Sequence, residues 1–114
     1  DTSISAEDIT KDLAEINRLC LRNNIRPIFL TLTPLNPANI QYSFQTPTDP
    51  NWADKMKGVN TFIKRLPYYI DIEPYFVDAN GEMNTEFSID GIHPDLRGKI
   101  LISELINLNR RLFK

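Results

Sequence analysis

His93 is the only histidine among the 114 residues. It is therefore the one side chain whose ordinary titration lies where proton transfer in both directions is easy near neutral pH. It stands in Ser88-Ile89-Asp90-Gly91-Ile92-His93-Pro94-Asp95. Asp90 precedes it by three residues with a glycine between, a spacing at which a tight turn carries the carboxylate to the imidazole. A carboxylate on one ring nitrogen selects the tautomer and stabilises the imidazolium, and the other nitrogen is then left to deprotonate a nucleophile. The same pattern also has a structural reading, in which the aspartate caps a turn or helix and the histidine is a surface or packing residue. A metal site made of Asp90, His93 and Asp95 is a third arrangement of these residue types, although no fourth ligand is signalled.

These residues need elements to position them. Ser5-Ala6-Glu7-Asp8 is a variant capping box. Ile9, Leu13, Ile16 and Leu19 follow at helical spacing and predict a helix over 5–22 with that stripe facing inward; Cys20 beside it reads as a small core residue. Asn23-Asn24 ends the helix, and Pro27 prevents its continuation. Residues 28–33, Ile-Phe-Leu-Thr-Leu-Thr, predict a strand buried on both faces, as in a parallel sheet. Residues 34–53 contain Pro34, Pro37, Pro47 and Pro50 and predict a long loop, a feature more often functional than accidental. Tyr42, Phe44 and Trp52, in or beside this loop, either wall a substrate pocket or pin the loop to the domain. A helix over about 54–65 places Met56, Val59, Phe62, Ile63 and Leu66 inward.

A second strand is expected at 68–72, where Asp71 reads as a buried, hydrogen-bonded structural carboxylate. A helical turn over 73–77, the turn Asp78-Ala79-Asn80-Gly81 and an irregular stretch over 82–92 come next. The last helix is expected to start near Pro94, a favourable first-turn residue. Its stripe is Leu101, Leu105, Leu108 and Leu112, and Arg97, Lys99, Arg110 and Arg111 form a solvated face. The order α-β-α-β-α predicts a parallel sheet with helices on both faces. Two strands make a poor sheet, so the pattern leads us to expect part of a larger doubly wound domain, with another segment or a second chain covering the open sheet edge.

Composition narrows the classes. The chain is 41% hydrophobic and 25% charged, ordinary for one folded domain and unlike a disordered chain, a collagen or a coiled coil. Thirteen basic against 15 acidic residues leave a net charge of −2, with no basic footprint for nucleic acid and no polybasic membrane patch. A single cysteine, Cys20, allows neither an internal disulfide nor a multi-thiolate zinc site. No apolar run approaches the roughly 20 residues of a membrane span. The chain opens on Asp1-Thr2-Ser3-Ile4-Ser5, without an initiator methionine and almost at a helix cap. This suggests a fragment or processed product and leaves localisation open.

The segment Asp90-Gly91-Ile92-His93-Pro94 before a C-terminal helix resembles the last conserved block of the SGNH (GDSL-type) hydrolases. The upstream order of helix, strand running into Pro34, variable loop, helix and strand is similar to theirs as well. The resemblance covers nearly the whole chain and implies a partial three-layer α/β/α, flavodoxin-like fold with a parallel sheet whose N-terminal half is missing. It implies ester hydrolysis by a serine nucleophile, with His93 as the base and Asp90 as its partner, no cofactor, and a small acyl ester as substrate. The Gly-Asp-Ser block of the nucleophile, and the blocks supplying the oxyanion glycine and asparagine, have no counterpart here. Ser3 and Ser5 read as caps, Ser43 lies in the proline-rich loop, Ser88 adjoins Asp90 and Ser103 falls in the last helix; none has a nucleophile-elbow context. The 114 residues alone are thus expected to be inactive. The alternative is a non-catalytic α/β binding or interaction module in which Asp90 and His93 are structural.

Overall fold

The computed structural model describes residues 5–114; the cap expected at Ser3 lies outside them. Its helices are α1 (Ala6–Arg22), α2 (Pro37–Phe44), α3 (Trp52–Ile63), α4 (Glu73–Phe76) and α5 (Leu96–Leu108), and its strands are β1 (Phe29–Leu30) and β2 (Tyr69–Ile70). The strands pair in parallel, with Phe29 opposite Tyr69 and Leu30 opposite Ile70. The fold is mixed α/β, a partial α/β/α arrangement with a small parallel sheet. Five buried residues, Ile70, Ile72, Phe76, Met83 and Leu105, form the core, and Leu101, Ile102 and Ile106 of α5 pack against them with Ile28 and Leu30. One face of the sheet is thereby covered by α5. Val59 and Ile63 of α3 are also buried, as their spacing predicts.

The strands are shorter than their β-rich sequences predict, and Phe29 and Leu30 are only half-buried. Side-chain hydrogen bonds replace ladder bonds just past the strand ends. Thr31 sends its backbone N–H to Ile70 C=O at 3.2 Å. Its buried hydroxyl donates to Asp71 Oδ1 (3.0 Å) and accepts from the Ile72 and Glu73 amides at 2.9 and 3.1 Å. Asp71 is half-exposed rather than buried, with Lys64 Nζ 3.9 Å from its other oxygen. The Leu32 N–H, one residue on, turns away from β2 by strand alternation. There the buried Asn60 amide group accepts from Leu32 N–H at 2.7 Å and donates to its C=O at 3.0 Å. A side chain thus closes the end of an edge that a further strand would otherwise pair.

Three expectations are corrected. The stretch 34–53 is not loop throughout, because α2 occupies Pro37–Phe44. The Asn36 side chain caps it by accepting from Asn39 N–H (3.2 Å), and Pro37 occupies the first turn, where its missing N–H is no loss. The last helix starts at Leu96 rather than Pro94, because the Asp95 side chain is its cap, accepting from Gly98 N–H at 3.3 Å. The apolar stripes are also partly misassigned. No residue of α1 is buried, and Ile16 and Leu19 are 47% and 43% exposed. The half-buried positions run instead through Ala6, Ile9, Leu13, Asn17 and Cys20, and Ala6 sits 3.6 Å from where a side chain at Gly58 of α3 would begin. Leu108 of α5 is 76% exposed, while Leu105 is core.

Candidate active site

Eight residues between the core and α5 make the site. Phe87 N–H bonds to Asn84 C=O, and Phe87 C=O accepts from Asp95 N–H at 2.8 Å, so the chain leaves and re-enters the fold at one point. Between these anchors Asp90 divides its two oxygens. Oδ1 accepts from the Ile92 and His93 amides, both at 2.8 Å, and from the Ser88 hydroxyl at 3.2 Å. Oδ2 lies 2.8 Å from His93 Nδ1. One oxygen builds the turn and the other orients the ring. Burial raises the Asp90 pKa, but the four groups bonded to its oxygens outweigh it and hold the carboxyl well below the usual carboxylate range. Asp90 is therefore a carboxylate at any physiological pH.

Gly91 makes the turn possible. Its φ of +89° lies in the left-handed region, and a Cβ there would stand 2.5 Å from Asn36 C=O, closer than atoms can approach. The Asn36 N–H donates to Gly91 C=O (3.0 Å), and Asn36 Nδ2 donates to Met83 C=O (3.2 Å). Asn36 is a positioning residue that pattern reading missed; the Asn-Pro pair, a cap followed by a first-turn proline, was the available signal.

The His93 side chain is 71% exposed. Among the described residues its second ring nitrogen has no hydrogen-bond partner. The Phe44 ring, at the end of α2, meets it edge-on with centroids 6.4 Å apart. Trp52 lies elsewhere, on a groove of about 680 Å³ whose walls include Leu32, Ile40, Met56 and Ile92. Tyr42 is 86% exposed and joins neither feature. Of the serines, Ser5 caps α1 by accepting from Asp8 N–H (3.1 Å). Ser88 is fully buried, and Ser43 and Ser103 are exposed on α2 and α5. Among the described residues no serine hydroxyl bonds to the His93 ring. Asp95 is engaged as the α5 cap and both Asp90 oxygens within the turn, and among the described residues no three His, Cys, Asp or Glu side chains group as a metal ion would require. No described helix is long and apolar enough to cross a membrane.

No family model matches this chain, and no curated protein does. Solved structures do match. A proposed acylhydrolase from Bacteroides fragilis NCTC 9343 aligns over 96% of this chain and 54% of its own, with TM-score 0.77 and 20% identity. A GDSL-like lipase from Bacteroides thetaiotaomicron VPI-5482 aligns over 94% of this chain and 53% of its own, with TM-score 0.75 and 18% identity. The fold is that of the SGNH (GDSL-like) hydrolases, and the chain spans about half the length of these two structures.

Proposed function

We propose that these 114 residues are the C-terminal, base-carrying part of a serine ester hydrolase. His93 is its general base and Asp90 the carboxylate that orients it. The observation that carries this is the 2.8 Å contact between Nδ1 and Asp90 Oδ2 on a ring that is otherwise 71% exposed. With Nδ1–H donating to Asp90 Oδ2, Nε2 is the basic nitrogen. It takes the proton of an attacking serine and returns it to the leaving alcohol of a carboxylic ester. The serine and the oxyanion glycine and asparagine come from outside these residues, either from an upstream half of the same domain or from a second chain. Such a segment would also pair the edge of β1 that faces away from β2. Phe44 walls the site beside the imidazole. The chain by itself is inactive, because losing one oxyanion donor alone costs on the order of 10² to 10³ in rate and the nucleophile is missing too.

The test is hydrolysis of p-nitrophenyl acetate. The 114-residue chain should hydrolyse it no faster than an equal concentration of free imidazole. A polypeptide extended upstream in its reading frame should turn it over, and His93→Ala should lower its kcat by about 10⁴-fold or more. Turnover by the short chain that vanishes in His93→Ala would refute the inactivity; full turnover by the extended His93→Ala protein would refute the base. A non-catalytic binding module is the second reading, favoured by the three bonds that Asp90 Oδ1 accepts within its own turn.

A further inference from the structure

We infer that Phe44 is a positioning residue for the candidate base: carried by α2, its ring fixes the plane in which the His93 imidazole presents its second nitrogen. The inference rests on the ester-hydrolase reading for the reaction served, and deepens it by one side chain. The hydrogen bond at Nδ1 holds one ring atom 2.8 Å from Asp90 Oδ2. By itself it leaves the plane of the ring free to swing about that bond. The imidazole is also 71% exposed, so solvent, which opposes no rotation, surrounds most of it. A second contact is needed to set where Nε2 points. The Phe44 ring supplies one, with 6.4 Å between centroids and 73° between planes, within the distances and the edge-on orientation that aromatic pairs prefer.

The helix is built to hold that ring still. Ile40 and Phe44 are four residues apart and so share one face of α2. Ile40 packs on Gly91, where a Cβ would stand 3.0 Å from its Cγ1, and Phe44 meets His93, two residues further along the turn. One helical face thus follows the turn in register. The N-terminal end of α2 is tied to the same stretch of chain. Asn36 N–H donates to Gly91 C=O, Met83 N–H donates to Leu35 C=O (3.0 Å), and Asn39 Nδ2 donates to Thr85 Oγ1 (3.1 Å). At the other end Gln45, at a left-handed φ of +50°, stops the helix directly after Phe44, and its side chain donates to Tyr42 C=O (3.0 Å). Phe44 itself is 45% exposed and lies outside the buried core. Its ring therefore adds less to packing than a core aromatic would, while its place against the histidine is specified from both ends of the helix.

His93 is the only histidine, so ¹³C relaxation reads the motion of its ring directly in the 114-residue chain. The ring should be ordered in the unsubstituted chain. In Phe44→Ala its order parameter should fall into the mobile range, below about 0.6, and in Phe44→Tyr it should recover. Far-ultraviolet circular dichroism should stay unchanged, and the Nδ1–H tautomer should persist, because Asp90 is untouched. Phe44→Leu, which keeps apolar bulk without an aromatic ring, should lose order as well and guards against a folding effect. In the polypeptide extended upstream, Phe44→Ala should lower kcat for p-nitrophenyl acetate about two- to tenfold, the preference such an aromatic pair confers, with KM moving less than about twofold. A ring equally ordered with and without Phe44 overturns the proposal. So does a KM that rises at constant kcat, because Phe44 is then a pocket wall alone. A ring that loses order in Phe44→Ala, alongside an extended protein that never hydrolyses esters, refutes the hydrolase reading and leaves the positioning standing; ester hydrolysis with a ring indifferent to Phe44 refutes the positioning alone.

Discussion

The turn around His93 and the face of α1 are built to opposite degrees of completion. In the turn, the Asp90 oxygens take hydrogen bonds from two amides, a hydroxyl and a ring nitrogen, and Ser88 beneath it is fully buried. In α1 no residue is buried, two large aliphatics of its periodic stripe are nearly half exposed, and the Asn17 side-chain oxygen is shut from water without a partner. Both begin from legible local signals, a Gly-containing Asp-x-x-His and a capped amphipathic helix. The turn completes itself within eight residues because its donors and acceptors are neighbours in sequence. The helix face needs surface from elsewhere, and the described residues do not supply enough of it. A local site can therefore be fully formed on a scaffold whose packing is only partly satisfied.

Three substitutions test this contrast. Gly91→Ala should have the largest effect, lowering stability by about 2–4 kcal/mol, because a side chain at φ +89° meets the Asn36 carbonyl at 2.5 Å. Urea denaturation measures it, and a loss under 1 kcal/mol would show the turn to be less rigid than described. Asp90→Asn should cost about 1–3 kcal/mol, through weaker bonds from the two amides and the hydroxyl. The native carboxyl lies below its ordinary value, so its contribution is complete above that value, near 3.9, and is lost as pH falls toward the native one. The stability gap between wild type and Asp90→Asn should accordingly narrow as pH falls below about 4. A gap that widens as pH falls from about 4 to about 3 would contradict this sign. Ile16→Gln should change stability least, by under about 0.5 kcal/mol, although its place in the stripe predicts the 2–5 kcal/mol of a core aliphatic. A thermal-melt difference of core size would show that this face is covered after all.

Much of the architecture is legible in the residues. The order of most helices and strands follows from caps, prolines and apolar spacing, and Ser5 and Asn23 are the observed caps of α1, whereas β1 stops four residues short of Pro34. The Asp90–His93 contact is legible for the same reason, since a three-residue spacing with a glycine leaves few other geometries. The helix over Pro37–Phe44 was obscured because four prolines and a run of polar residues look like loop, while Asn36-Pro37 is equally a helix start. The half-buried face of α1 is hard to read because the stripe Ile9, Leu13, Ile16 and Leu19 and the observed row through Asn17 and Cys20 differ by less than half a helical turn. Hydrophobicity alone cannot rank two adjacent stripes when the described residues bury neither of them.

By itself, then, the amino-acid order determined the parts whose partners lie within one turn of chain: the caps, the strand candidates, and the carboxylate set against the only imidazole. Tertiary structure decided what lies across the gaps. It brought the Phe44 ring to His93 across 48 intervening positions, locked Gly91 onto Asn36, closed the end of β1 with the Asn60 amide and hollowed the groove between Ile92 and Trp52. The reason is that hydrogen bonds between sequence neighbours form with little loop entropy to overcome, whereas contacts between distant residues depend on the whole chain having found its packing.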